Sequence, residues 1–245
     1  MKKLVAVLAI ISFNAHAAPD CRELPSCESL GYICSAEECG DLKALSCPFD
    51  TSKKICFPKN KDCEVGDTLY NDFMCHDAPC GKIPIAIVFD TENRMAVQLG
   101  TDGHPIWGGY GTDIPDLENC TVDAALVDCG TDGKQNTRII VEYGKANDIS
   151  YPAAEFCYNM TLGNLPQGSW WLPSAKELHN IWQNFDAVIA GFGRHGKMLT
   201  GNLRWSSTEQ NLERAVLEYP RQQRVITQPK NYLDGNYRTY CIIGY

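Results

Sequence analysis

The chain lacks a second long apolar run. Beyond residues 4–13, no stretch of its 245 residues is apolar enough to cross a bilayer, and that first run is too short to span one as a stable helix. It also lacks basic excess. With 22 Lys and Arg against 30 Asp and Glu the formal charge is −8, and nucleic acid and anionic lipid both need basic patches, so neither is expected as a partner. Histidine is scarce, at five residues. No metalloprotease His-Glu-x-x-His helix, no Gly-x-Ser-x-Gly elbow and no phosphate-binding glycine loop after a strand is present. These absences remove the common routes to hydrolysis and nucleotide chemistry and leave binding or structural roles.

What is there begins with an export signal. Lys2 and Lys3 precede the apolar run, and Ala15-His16-Ala17 is a small-x-small cleavage site, so residues 1–17 read as a signal peptide. Asp20 stands before Cys21 where lipoprotein processing needs a small residue, which argues for a soluble exported chain. Loss of Lys2 and Lys3 moves the formal charge from −8 to −10.

Thirteen cysteines in an exported chain imply disulfides, and the odd number leaves one thiol free or paired elsewhere. Cys34 to Cys39 and Cys75 to Cys80 have ligand-like spacing, with His76 beside Cys75, but zinc sites use tighter CxxC pairs. Residues 18–62 carry Cys21, Cys27, Cys34, Cys39, Cys47 and Cys56 and few large apolar side chains. Such a stretch cannot build a core alone, so it reads as a disulfide-stapled module whose pairing the sequence does not choose. Residues 63–245 are long enough for one packed domain. Cys63 with Cys75 is a plausible pair.

In that larger domain, residues 83–90 and 94–99 read as an apolar hairpin around Thr91-Glu92-Asn93. Residues 101–136 are rich in Gly and Asp. Asp128 and Asp132-Gly133 suit either calcium, which wants several carboxylate oxygens on a tight turn, or acidic turns and a helix cap. The spacing is not that of an EF-hand. Cys120 and Cys129 can close this loop. Asn136-Thr137 is read as capping a helix over 138–143 with Gly144 as its stop, and 151–160 as a second short helix with Ala153, Ala154, Cys157 and Tyr158 inward. Strands are expected at 215–219, 225–227 and 237–245.

The most informative stretch is 168–209. Trp170 and Trp171 lead into Leu172-Pro173-Ser174; Ser174 with Glu177 three residues on is a capping-box pattern. Leu178, Ile181, Trp182, Phe185, Val188 and Ile189 repeat at helical spacing, predicting one amphipathic helix stopped by Gly191 and Gly193. Trp205-Ser206-Ser207-Thr208-Glu209 follows. The pair of motifs, Trp171, Pro173, Ser174, Glu177 and Leu178 and then Trp205, Ser206, Ser207 and Glu209, resembles the Lcl C-terminal-domain family of secreted bacterial proteins. The run Trp107-Gly108-Gly109-Tyr110-Gly111-Thr112-Asp113 also occurs in relatives of that family. The run Cys27 to Tyr32 with Cys47-Pro48-Phe49-Asp50 and Cys56 is similar to small modules preceding lectin-like domains.

The resemblance implies an α+β, C-type-lectin-like domain with mixed or antiparallel sheets and two main helices, behind the small cysteine-rich module. It implies a staple from the first helix to the last strand, Cys157 to Cys241, and pairing of the strand near Ile87 with the last strand. It places ligand contacts on the polar segments 210–214, 220–224 and 228–236 near the C-terminus, with Arg214, Tyr219, Arg221, Arg224 and Tyr232 as candidates. The expected role is an exported, non-catalytic, adhesin-like protein binding a glycan or protein ligand at the cell exterior, with no required cofactor; calcium at Asp128 and Asp132 is the alternative there. A structural envelope protein is the competing class. An enzyme of the formylglycine-generating fold class is a third, but the thiol pair that holds copper there is reduced here to Cys241.

Overall fold

The computed structural model describes residues 33–35, 44–47, 50–56, 60–76, 82–120, 128–199, 202–219, 224–233 and 237–245. Residues 1–17, expected to be a leader, and the cysteines at 21, 27, 39 and 80 lie outside them. Backbone contacts divide the chain into two units, Met1–Asp62 with Tyr70–Pro84 and Cys63–Leu69 with Ile85–Tyr245. The smaller unit therefore takes in residues 70–84, which the sequence reading gave to the larger domain.

In chain order the strands are β1 (Ile33–Ser35), β2 (Ala44–Cys47), β3 (Asp50–Cys56), β4 (Asn60–Lys61), β5 (Thr68–Tyr70), β6 (Cys75–His76), β7 (Pro84–Asp90) and β8 (Met95–Gln98). Helices α1 (Gly133–Asn147), α2 (Pro152–Tyr158), α3 (Ala175–Gln183) and α4 (Phe185–Arg194) follow, then β9 (Arg204–Glu209), β10 (Arg214–Tyr219), β11 (Arg224–Pro229) and β12 (Ile242–Gly244). In the smaller unit β3 lies between β1 and β2, and β4 pairs with β6, all antiparallel.

The larger unit is α+β with antiparallel sheets. Its hairpin β7–β8 forms as the alternation of apolar strand and polar turn dictates, and Ile85 to Phe89 are fully buried. The last strand does not pair with β7. Val97 on β8 faces Ile87 on one side and Ile242 on the other, so β8 stands between them. The far edge of β7 is already taken: Gly66 N–H donates to Val88 O at 2.8 Å, and Val88 N–H donates to Asp67 O at 2.9 Å. Strand β12 is instead held on its outer side by Trp171, through Trp171 N–H to Ile242 O (3.1 Å) and Ile242 N–H to Trp171 O (3.0 Å). Cys157 on α2 is joined to Cys241 beside β12, with Cα atoms 5.3 Å apart. Closing so long a loop is worth about 4 kcal/mol in the chain-entropy picture. Cys120 and Cys129 are joined as well, and Cys63 and Cys75 are each disulfide-bonded.

The capping box forms. Ser174 N–H donates to Glu177 Oε2 at 2.7 Å and Glu177 N–H to Ser174 Oγ at 3.2 Å. The helix it starts is shorter than its apolar spacing suggests. It breaks at Asn184, whose amide donates to Phe89 O at 3.0 Å and Asn180 O at 3.2 Å, and α4 restarts from there. Gly191 does not stop α4; it lies inside that helix, where a Cβ would sit 2.6 Å from Gly66 O and from Ile87 Cγ2. Helix α1 likewise begins earlier and ends later than its sequence reading. Asp132 is the N-cap, accepting from Gln135 N–H at 2.9 Å, and Gly144 is interior because a Cβ there would meet Ile149 O at 2.6 Å. Asn136 and Thr137 face inward rather than capping: Asn136 donates to Gly130 O at 2.7 Å, and Thr137 Oγ1 donates to Leu172 O at 3.1 Å.

Candidate functional site

Three loops meet at one end of the β9–β10–β11 sheet. The first is the glycine-rich run after Trp107. The Trp107 ring is buried and its Nε1–H donates to Ser206 O at 2.8 Å, which fixes the loop's root to β9. Gly108 (φ +101°) and Gly109 (φ +59°) then pass so close to Tyr151 that a Cβ would fall 2.7 Å and 2.2 Å from its atoms. No other residue combines that backbone with that approach. The turn throws Tyr110 outward, 49% exposed.

The second loop joins β9 to β10. Asn211 Oδ1 accepts from Glu213 N–H and Arg214 N–H, each at 2.9 Å, an Asx-type turn that leaves Leu212 45% exposed. The third follows β11. Tyr232 N–H donates to Pro229 O at 2.9 Å, and Tyr232 and Leu233 are 41% and 74% exposed. Backbone bonds stitch the three together: Gly111 N–H to Leu212 O (2.9 Å), Gly108 N–H to Lys230 O (3.0 Å) and Lys230 N–H to Glu213 O (2.8 Å).

Beneath them lies an ion pair. Lys230 Nζ contacts Glu209 Oε1, donates to Thr112 O at 2.8 Å and sits 4.8 Å from the centre of the Trp107 ring; both charged side chains are fully buried. Burial pushes the Glu209 carboxyl up to about 7 even with Lys230 against it, and burial pulls the Lys230 amine down. Tyr237 lies between Tyr232 and Trp205, tilted against each, with centroids 5.2 Å and 5.6 Å away. The end is thus rigid below and aromatic above. It offers ring faces, amides and hydroxyls, which suit stacking and hydrogen bonding.

No protein-family model matches the chain, and no curated protein is similar to it. Among solved structures, a fimbrial protein from Bacteroides ovatus ATCC 8483 is similar, with a TM-score of 0.55 at 13% identity over 75% of this chain and 49% of that one. The likeness is one of fold. The chain spans about half the length of that protein.

The residues singled out in the sequence are spread over this sheet rather than gathered. Tyr232 belongs to the three-loop end. Arg214 lies next to it, but its guanidinium donates to Thr227 Oγ1 (3.2 Å) and Thr227 O (2.7 Å), so it clasps β10 to β11. Tyr219 pairs with Arg224 at the opposite end of the same hairpin, roughly 17 Å along the strand. Arg221 lies outside the described residues. Leu212 and Leu233 lie within the segments 210–214 and 228–236 expected to carry ligand contacts, though neither was singled out; Tyr110 was missed, and its signal was a tyrosine bracketed by glycines after a core tryptophan. Trp171, Pro173, Ser174, Glu177, Trp205, Ser206, Ser207 and Glu209 are all buried and form the frame. Asp132 caps α1, and the Asp128 side chain is 71% exposed beside Lys176, 3.4 Å away. Among the described residues no three His, Cys, Asp or Glu side chains converge as a metal would need. No helix among them is long and apolar enough to cross a membrane.

Proposed function

We propose that this chain is a non-catalytic, adhesin-like protein of the cell exterior that binds a glycan or protein ligand with the three-loop end of a C-type-lectin-like scaffold. One observation carries the reading. Tyr110, Leu212, Tyr232 and Leu233 are held outward together on loops fastened to each other and to a buried ion pair. Exposed apolar side chains clustered on a rigid base mark interaction surfaces. The disulfides and the fold shared with a protein named as fimbrial support an exterior setting. The Cys157–Cys241 staple supports the lectin-like scaffold, while the terminal strand, paired with β8 rather than β7, departs from what that scaffold implied.

The test is array binding of the purified mature protein to immobilised glycans and surface proteins, with calcium and with a chelator. A saturable ligand is expected, and the Tyr110→Ala/Tyr232→Ala double variant should lose it while keeping its melting temperature. Absence of any saturable ligand leaves the chain as a structural envelope component. Binding that survives the double variant moves the site elsewhere.

A further inference from the structure

One face of α1 departs from the charge of the rest of the chain. The protein carries a formal charge of −8, yet Lys134, Arg138 and Lys145 recur at spacings of four and seven, which places them on a single helical stripe. All three are exposed, and none makes an ion pair among the described residues. Glu142 follows Arg138 by one turn without closing on it. Lys134 Nζ sits 5.4 Å from the centre of the Trp171 ring, and Lys145 Nζ 4.9 Å from that of Tyr158. Arg138 Nη2 donates to Gln135 Oε1 at 2.9 Å, which steadies the guanidinium and leaves its other N–H groups uncommitted.

Beside this stripe a groove of about 350 Å³ opens, lined by Lys134, Gln135, Arg138, Tyr158, Gly168 and Trp171 among others. Asp132 at its rim is the acid there, and its carboxylate already caps the helix. Gly168 (φ +79°) lets the loop before Trp170 press on Tyr158, where a Cβ would lie 3.3 Å from the ring, and its N–H donates to Tyr158 O at 2.8 Å. The aromatic wall is therefore fixed by backbone.

We propose that this groove binds a carboxylate borne on a ring, in a uronic sugar or an aromatic acid. A planar guanidinium matches the two coplanar oxygens of a carboxylate, and Lys134 adds charge without geometry. Tyr158 and Trp171 line the groove and offer apolar surface to the ring. The volume falls at the small end of ligand pockets, which suits one ring or two. The site lies on α1 and the loop before Trp170, so it stands or falls apart from the three-loop end.

Titration calorimetry tests it on the mature protein, with galacturonate and 4-hydroxybenzoate as probes and methyl galactoside and phenol as their neutral counterparts. At least one acid should bind about tenfold more tightly than its neutral counterpart, and which acid does so names the source. Arg138→Glu should weaken that binding by about tenfold or more with the melting temperature unchanged, and Tyr110→Ala should leave it alone. Equal binding of acid and neutral probes, or full retention by Arg138→Glu, overturns the proposal. So does competition by inorganic sulfate as strong as that of either acid, since a bare anion would then suffice.

Discussion

Strands β9 and β11 flank the same central strand, and their burial reverses what their composition suggests. Strand β9 reads Arg-Trp-Ser-Ser-Thr-Glu and is buried at every position; β11 contains Val225 and Ile226 and is half-exposed or exposed throughout. The difference lies in partners. Ser206 Oγ donates to Val216 O at 2.7 Å, Ser207 N–H donates to Pro173 O at 2.8 Å, and Thr208 Oγ1 accepts from Ala175 N–H at 3.0 Å. Arg204 donates to the Tyr240 hydroxyl at 2.8 Å, and Glu209 has Lys230. Burial of polar groups costs less where each finds a partner, and it then fixes one arrangement; among the described residues the Trp205 Nε1–H of this strand finds none. Strand β11 has fewer such partners, with Arg214 on Thr227, and borders solvent.

Substitutions should break this comparison unevenly. Glu209→Ala should cost the most, about 3–5 kcal/mol in denaturant unfolding, because it leaves the Lys230 ammonium buried without a carboxylate. Replacing both partners, Glu209→Leu with Lys230→Met, should recover most of that loss.

The next effect is a pH dependence. Burial, against the help of Ser174, raises the Glu177 carboxyl to about 7, and burial raises Glu209 to about 7 as well. The folded state therefore holds protons that the unfolded chain releases from about pH 4.5 upward. Their contribution is complete below that pH and is lost as pH rises through 7, on the order of 2 kcal/mol for Glu177. Melting temperature should fall from about pH 5 to about pH 8, and Glu177→Gln should flatten that fall.

Ser206→Ala should cost about 1–2 kcal/mol, since it strands Val216 O and removes the acceptor of Thr208 N–H. Ile226→Thr on β11 should change stability by less than about 0.5 kcal/mol although it removes the more apolar side chain. A large loss there would mean that β11 is covered in the working protein.

The same contrast explains what was legible in the sequence. The capping box, the β7–β8 and β10–β11 hairpins and the buried tryptophans follow from local pattern. Glycines misled wherever they serve close approach rather than punctuation: Gly144 accommodates the Ile149 carbonyl, and Gly191 accommodates Gly66 and Ile87. The break at Asn184 depends on the Phe89 carbonyl, a partner 95 residues away. At the candidate site, the resemblance and the polar composition pointed to Arg214, Tyr219, Arg221, Arg224 and Tyr232 on three C-terminal segments. Two of those segments meet in the three-loop end, and the glycine-rich run at Tyr110 joins them only because the sheet brings it there.

The bond between Cys157 and Cys241 spans 84 positions of the chain. Tension applied to the chain on either side of that span could not draw out the roughly 280 Å of polypeptide inside it. Leu212, Tyr232 and Leu233 fall within the protected length, and Tyr110 falls outside it.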